Sequence, residues 1–258
     1  MLFRIYQIFI LAPVVALSTA IIGTLDAIIC SCTGWLKNKL PFSMGIMTRP
    51  DWWTTHLAKI WSRIIIRTSL LHVEVNGREN IPCNTSCVFT ANHQGAYDIF
   101  LICGYLNVEL RWMMKRSLEK IPFFGTACKH AGEIFVDKGS NGKVLSTYRN
   151  AEHALKEGAS IMVFPEGART KNGHMLPFHR GAFALADELQ LPVVPMTING
   201  SYDILPKQQD GKFIKRHTLS LTIHKPIYPI SKGNDNINWL TEESYKVINS
   251  AVEDKYRN

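Results

Sequence analysis

Three polar clusters carry residue types that could do chemistry, and they fall where strands of a sheet should end. In the first, residues 92–98, His93 and Asp98 stand five positions apart. Histidine is the side chain best suited to take a proton near neutral pH, and an adjacent carboxylate fixes its tautomer. The pair can meet across a loop that enters a helix. A capping aspartate beside an inert histidine is the alternative.

The second cluster, residues 164–170, combines a turn with a fixed positive charge. Gly167 allows a turn that a residue with a side chain would strain. Arg169 carries a planar charged group that suits a phosphate. Glu166 cannot bind a phosphate and is expected to orient the arginine or the loop. A surface salt bridge in a turn is the alternative interpretation.

The third cluster places cations ahead of an apolar turn. Lys115 belongs to a short basic run, and residues 121–125 follow as an apolar segment that ends in glycine. A solvated basic face ahead of a core turn would give the same pattern. Each cluster is weak evidence alone, so the elements that position them must be considered.

The chain has 258 residues, of which 46% are hydrophobic, and a net charge of +8. This length and apolar content exclude disordered, collagen-like and small disulfide-linked proteins. The positive charge indicates an anionic partner, either nucleic acid, anionic lipid or a phosphorylated small molecule. Residues 37–67 carry six cations against one acid, directly after the most apolar segment. This arrangement favours anionic lipid at a cytoplasmic membrane face and argues against nucleic acid.

Residues 5–25 contain no charged side chain and are long enough to cross a bilayer core. A cleaved signal peptide fits poorly because the apolar run continues past the weak cleavage site at residues 17–20. A lipoprotein signal fits poorly because Ile29, a large residue, precedes Cys30. A retained anchor fits best, as a single span or a shallow two-helix hairpin. Asp26 is unfavourable at the centre of a bilayer.

Residues 52–67 are predicted to form an amphipathic helix. Apolar residues recur at helical spacing, and Lys59, Arg63 and Arg67 form a stripe at every fourth position. The helix either lies on a membrane surface or packs its apolar side into the core. The preceding apolar segment favours the membrane surface. A linker is expected near residues 44–51.

The rest of the chain alternates between predicted strands and helices. This alternation indicates an α/β fold with a largely parallel central sheet flanked by helices, preceded by the N-terminal helical membrane element. Strands are predicted at residues 73–75, 86–90, 132–137, 160–164, 192–198 and, as an outer strand, 219–223. Helices are predicted at residues 99–106, 142–156, 181–189 and 242–254. The expected division is a membrane-associated element, residues 1–68, and an α/β domain, residues 69–258.

Cysteine spacing predicts free thiols. Six cysteines are present without a Cys-x-x-Cys pair or a histidine at zinc-site spacing. Disulfides and a metal site are therefore not expected.

Five blocks occur in a fixed order: residues 92–98, Lys115 with residues 121–125, residues 132–137, residues 164–169 and residues 191–195. Together they resemble the glycerolipid acyltransferase family, in particular the 1-acyl-sn-glycerol-3-phosphate (lysophosphatidic acid) acyltransferases. The resemblance covers about residues 73–200. Five blocks in order are much more specific than any one of them.

The resemblance implies roles for the matching residues. His93 is implied as the general base and Asp98 as its partner. The block with Glu166, Gly167 and Arg169 is implied to hold the acceptor phosphate. Lys115 matches the lysine of the family's second block, which is implied to make a second contact with the phosphate.

Three positions depart from the family pattern. Ala168 replaces the usual threonine, Ser117 stands where glutamate is frequent, and Lys138 stands where arginine is frequent. The Ala168 substitution removes only a hydroxyl and is not expected to abolish activity. It leaves the choice among acceptors open.

The implied reaction transfers an acyl chain from a thioester of coenzyme A or acyl carrier protein to the sn-2 hydroxyl of 1-acylglycerol 3-phosphate, which gives phosphatidic acid. His93 would deprotonate the hydroxyl in one direct displacement that needs no metal or cofactor. Because a lysolipid resides in the bilayer, the protein is expected at a membrane with its catalytic domain on the cytoplasmic face. The expected partners are the lysolipid, the acyl thioester and an anionic membrane surface.

Three alternatives stay open. A family member could act on another acceptor, such as glycerol 3-phosphate or another lysophospholipid. A membrane-associated serine hydrolase could use His93 with a serine, although no Gly-x-Ser-x-Gly segment is present. A silent lipid-binding scaffold is disfavoured because it would not need the His93–Asp98 pair.

Overall fold

The protein's computed structural model describes residues 1–37, 50–121, 124–136, 141–209 and 213–258. These residues form a seven-stranded sheet in the order β1-β7-β6-β2-β5-β3-β4. The strands are β1 (His72–Asn76), β2 (Val88–Ala91), β3 (Leu110–Lys115), β4 (Ile134–Val136), β5 (Ser160–Val163), β6 (Val193–Asn199) and β7 (Thr218–Ile223). Paired neighbours are parallel except β6 and β7. The predicted largely parallel α/β sheet is therefore confirmed.

Helices cover both faces of the sheet. They are α1 (Leu2–Tyr6), α2 (Ala12–Lys37), α3 (Pro50–Thr68), α4 (Tyr97–Tyr105), α5 (Phe124–His130), α6 (Asn141–Lys156), α7 (Gly181–Leu189), α8 (Ser201–Ile204) and α9 (Asn234–Ser250). On one face, Leu101 of α4 is buried in an apolar cluster with Phe89 of β2. On the other, Phe183 of α7 is buried in a cluster with Val88. Successive strand residues point to opposite faces, so β2 supplies both cores.

Several elements differ from the sequence predictions, and the short helices α5 and α8 have no predicted counterpart. β3 has no counterpart among the predicted strands. β7 is not an outer strand, because β1 pairs with it and forms the edge of the sheet. α9 begins at Asn234, well before the predicted start at residue 242, and ends at Ser250. Its first turn is polar, but the Asn236 side chain is buried and donates to Asp187 at 2.6 Å.

The N-terminal apolar segment is a continuous helical run in which a π-helical segment, Gln7–Leu11, joins α1 to α2. Within Leu2–Cys30 an 18-residue window has a mean hydropathy of 2.3, and the segment is long enough to cross a membrane by length and composition. The helix continues through Pro13 and Gly23, so of the two open alternatives the single helix is formed here and the two-helix hairpin is not.

This helix is also tied to the α/β domain. The Gln7 side chain donates to the carbonyl of Ile214 at 2.9 Å and accepts the N–H of Ile214 at 2.7 Å. The Tyr6 hydroxyl donates to the carbonyl of Thr68 at 2.8 Å. The N-terminal turns therefore lie beside the starts of β7 and β1.

The Asp26 side chain contacts other parts of the protein and does not lie on an apolar outer face of the helix. This side chain is almost fully buried. One carboxylate oxygen accepts the Thr54 hydroxyl of α3 at 2.5 Å, and the other lies 3.3 Å from Nδ1 of His130 in α5. These polar partners compensate the cost of burying an acidic side chain. An acidic residue can therefore stand in this apolar segment without contacting the centre of a bilayer.

The amphipathic helix is formed, as α3, but its apolar side packs into the domain. Ile65 and Ile66 are buried in the same cluster as the sheet, and the Trp61 ring meets the Phe100 ring edge-on at 5.4 Å. For these residues the core-packed alternative applies, because α2 and α4 cover the helix. Ile60, on the predicted apolar side, is 51% exposed, so the membrane-surface interpretation stays a prediction for that part of the helix. The linker expected at residues 44–51 lies mostly outside the described residues.

All six cysteines are free, as the spacing predicted.

Candidate active site

The three clusters meet at the carboxyl edge of three adjacent parallel strands, in the order β2, β5 and β3. His93 follows β2, Arg169 follows β5, and Lys115 is the last residue of β3. Open parallel sheets bind ligands at this edge. The topology therefore brings together residues that are far apart in the sequence.

His93 and Asp98 are in direct contact. Nδ1 of His93 lies 2.7 Å from Oδ2 of Asp98, whose side chain is fully buried, whereas the His93 side chain is 14% exposed. The same oxygen accepts the N–H groups of Gln94 at 2.7 Å and Gly95 at 2.9 Å. Because a carboxylate only accepts, Nδ1 carries the proton, and Nε2 of the neutral ring is left to accept one.

Aromatic stacking fixes the plane of the His93 ring. The ring lies parallel to that of Phe164, with centroids 3.9 Å apart and an 8° interplanar angle. The Phe164 ring is in turn 6.0 Å from that of Trp112 in β3. The imidazole is therefore held by one buried carboxylate and one aromatic face.

Glu166 connects the loop that follows β5 to the loop that follows β2. Its side chain is 4% exposed, and its two oxygens accept the N–H groups of His93 at 2.7 Å and Leu176 at 2.8 Å. Burial raises the pKa of Glu166 to about 8, while these two N–H donors act in the opposite direction. Glu166 therefore ties the two loops together through both of its oxygens, and its orienting role in the site stays a prediction.

Gly167 supplies the turn that precedes Arg169. Its φ of +66° lies in the left-handed region, and a Cβ there would stand 3.0 Å from the His179 ring. Its N–H donates to the carbonyl of Phe164 at 3.0 Å. A side chain at this position would both strain the backbone and displace the histidine.

Arg169 and Lys115 reach the same edge from different strands. Arg169 is half-buried in the loop after β5, and Lys115 is exposed. Alternation along β3 puts Lys115 on the face of Met113, which packs in the second core cluster, and not on the face of Trp112. A flexible lysine stem can bend over a sheet edge, so a phosphate role for Lys115 stays a prediction.

Asn92 and Phe164 stand within the sequence blocks, but no sequence pattern predicts a role for either. The Asn92 amide is buried, donates to the carbonyl of Ile198 at 2.9 Å and accepts its N–H at 2.7 Å. These two hydrogen bonds therefore hold the start of the loop that contains His93 against β6. Phe164 could have been noticed as an aromatic residue directly after a strand, on the same sheet face as Met162.

An apolar cavity of about 120 Å³ lies near this site, between β3 and the α2, α3, α4 and α5 helices. Trp112 lines it and also approaches Phe164, so the cavity adjoins the row of rings that supports His93. Asp26 and Glu133 are its acidic lining residues. Burial raises the pKa of Glu133 to about 8.

Residues 72–199 match the family model described as Acyltransferase. A chloroplast 1-acyl-sn-glycerol-3-phosphate acyltransferase of Brassica napus is 32% identical over 173 residues, which are 67% of this chain and 49% of that protein. The 1-acyl-sn-glycerol-3-phosphate acyltransferase alpha of Homo sapiens is 36% identical over 154 residues, which are 56% of this chain and 54% of that protein. This chain thus spans about half the length of the curated relatives it matches.

A solved structure agrees with these matches. The 1-acyl-sn-glycerophosphate acyltransferase of Thermotoga maritima superposes with a TM-score of 0.70 at 25% identity, and the match covers 91% of each chain. The chain belongs to the acyltransferase family. The resemblance drawn from the five sequence blocks is therefore confirmed.

Asp98→Asn is expected to lower the turnover number about 10- to 100-fold with little loss of folded protein. The amide oxygen can still accept from Nδ1, but it brings no charge to stabilise the imidazolium. The turnover number and a circular dichroism spectrum check this expectation. Asp187→Asn is the matched control, because Asp187 is also buried and hydrogen-bonded but lies beneath α9. If Asp98→Asn keeps the wild-type turnover number, Asp98 acts only as a helix cap and not as the catalytic partner of His93.

Proposed function

We propose that this protein transfers an acyl chain from an acyl thioester to the sn-2 hydroxyl of 1-acylglycerol 3-phosphate, and so forms phosphatidic acid. The observation that carries the proposal is the His93–Asp98 contact of 2.7 Å at the sheet edge that also carries Arg169. It joins a proton acceptor to a cation suited to a phosphate. The curated relatives bear the name of this activity.

The proposed chemistry is one direct displacement. Nε2 of His93 takes the proton of the acceptor hydroxyl while the hydroxyl oxygen attacks the carbonyl carbon of the thioester. The carbon–sulfur bond then breaks, and the thiolate leaves as the new ester forms. The imidazolium, stabilised by the Asp98 carboxylate, returns the proton to the thiolate. Atoms and charges balance without a metal or cofactor, since the thioester is already activated.

Arg169 is proposed to bind the acceptor phosphate, with Lys115 as a second, more mobile charge. A guanidinium can meet two phosphate oxygens at once. Gly167 and Glu166 contribute through the loop, by allowing its turn and by tying it to the His93 backbone. This arrangement would place the phosphate and the attacking hydroxyl of one small headgroup at neighbouring strand ends.

The apolar cavity beside Trp112 suits part of an acyl chain, because mostly apolar side chains of β3 and four helices line it. The apolar N-terminal helix suits attachment to the membrane in which a lysolipid resides. We place the catalytic domain on the cytoplasmic face, where coenzyme A or acyl carrier protein would deliver the thioester. The proposed division of the chain keeps residues 1–68 as the membrane-associated element and residues 69–258 as the catalytic domain.

The proposal is tested by supplying one acyl thioester with 1-acylglycerol 3-phosphate, glycerol 3-phosphate or a lysophosphatidylcholine. The lipid products are then identified by mass spectrometry. Phosphatidic acid is expected as the main product, and preferential acylation of either other acceptor would contradict the acceptor assignment. A fluorophosphonate probe should not label the protein, whereas labelling with loss of activity would indicate a serine hydrolase.

A further inference from the structure

Residues 170–176 directly follow Arg169, and we call them the Arg169 loop. Hydrogen bonds join this loop to His93 and to Glu166. The Thr170 N–H donates to the carbonyl of His93 at 2.9 Å, and the Leu176 N–H donates to Glu166 at 2.8 Å. Between them, the Gln94 amide lies 3.5 Å from the carbonyl of Gly173. The shape of the Arg169 loop therefore affects where both His93 and Arg169 lie.

Tyr256, from the segment after α9, covers this loop at Gly173. A Cβ added to Gly173 would lie only 2.2 Å from Cδ1 of Tyr256, so the ring rests directly on the loop backbone. Gly173 has a φ of +92°, a conformation that favours glycine. The Asn258 amide adds a bond to the carbonyl of Met175 at 2.8 Å. No sequence pattern predicts a role for this segment.

Tyr256 is itself held by α8. Its hydroxyl donates to Oδ1 of Asp203 at 2.9 Å, and the Lys255 ammonium donates to Oδ2 of the same carboxylate at 2.8 Å. The neighbouring Tyr202 ring lies 5.1 Å from the Tyr256 ring, and its hydroxyl donates to the carbonyl of Lys171 at 2.9 Å. The loop is thus gripped at residues 171 and 173 by side chains from two elements.

We propose that Tyr256 is a positioning residue for the acceptor phosphate, acting through Gly173 and the Arg169 loop. It touches no reacting group, and its effect is to keep the loop in the conformation that presents Arg169. This inference rests on the proposed function, because it assigns the acceptor phosphate to that loop. Loss of the ring would let the loop relax and misplace the cation, and small displacements at a binding site have large kinetic effects.

The test compares Tyr256→Ala and Tyr256→Phe with Tyr228→Ala, which removes a 56% exposed tyrosine outside this contact. Tyr256→Ala is expected to raise the KM for 1-acylglycerol 3-phosphate about 5- to 10-fold and to leave the KM for the thioester unchanged. Tyr256→Phe keeps the ring on Gly173 and should recover most of the acceptor affinity. A fall in Tm with both KM values unchanged would overturn the proposal, since it indicates a merely structural role.

Amide hydrogen exchange gives a readout that does not depend on activity. Residues 170–176 should exchange faster in Tyr256→Ala than in the wild type or in Tyr228→Ala. Unchanged exchange there would overturn the inference whatever the protein's substrate. If the wild type acylates no phosphate-bearing acceptor, the proposed function fails and the role of Tyr256 in acceptor binding fails with it, even where faster exchange shows the loop contact.

Discussion

His93→Ala is expected to lower the rate of acyl transfer by about 10²- to 10⁴-fold, the usual loss when a general base is removed. The histidine lies in a loop, and its side chain makes two described contacts, with Asp98 and Phe164. The fold should therefore survive the substitution. The rate of thiol release from an acyl thioester, together with a circular dichroism spectrum, measures both expectations.

A second substitution separates proton transfer from stacking. His93→Phe keeps an aromatic ring that can lie against Phe164 but offers no proton acceptor, so it should lose as much activity as His93→Ala. His153→Ala, on an exposed position of α6, is the matched control and should be near wild type. Near-normal turnover in a folded His93→Ala or His93→Phe protein would refute the assignment of the base.

Arg169→Ala is expected to raise the KM for the acceptor more than 100-fold, and Arg169→Lys about 10- to 150-fold. A phosphomonoester carries close to two negative charges, and lysine keeps the charge while losing the planar fork. One charge-assisted bond is worth about 1.5–3 kcal/mol, which corresponds to that range in affinity. Steady-state kinetics with each substrate varied in turn gives both KM values.

The KM for the thioester should stay nearly constant in both Arg169 variants. Arg180→Lys provides a control, because Arg180 is an exposed arginine whose guanidinium bonds to Asn234. If the Arg169 variants lose affinity for the thioester and keep it for the lysolipid, Arg169 instead contacts a phosphate of the donor. The acceptor could then be a neutral or zwitterionic lipid.

Local patterns sufficed for much of the fold. β5 and β6 are apolar runs bounded by turn residues, and α7 has clear helical spacing, so their positions followed from the sequence. β3 did not, because Leu110–Lys115 lacks β-branched residues and carries Arg111 within it. The place of β7 inside the sheet depends on its pairing with β1, which is about 145 residues away in sequence and leaves no local signal.

In the candidate site, too, some contacts could be predicted from the sequence and others could not. His93 and Asp98 are close in sequence, so their contact could be anticipated from a loop that enters a helix. The hydrogen bond from the His93 N–H to Glu166 and the contact of the Tyr256 ring with Gly173 join distant segments. Asp26 seemed exposed to lipid because its partners, Thr54 and His130, lie on other helices. Such contacts depend on tertiary packing, and a single sequence does not encode them in any readable spacing.

The most direct test of acyl transfer to a phosphate-bearing acceptor is a competition between two lysolipids that differ only in the phosphate. Purified protein receives one acyl thioester and equal amounts of 1-acylglycerol 3-phosphate and the matching monoacylglycerol, and both acylated products are measured. We expect the wild type to make mainly phosphatidic acid, at a rate that His93→Ala lowers by about 10²- to 10⁴-fold. Equal acylation of both lipids, or product formation at a near-normal rate in a folded His93→Ala protein, would contradict this expectation.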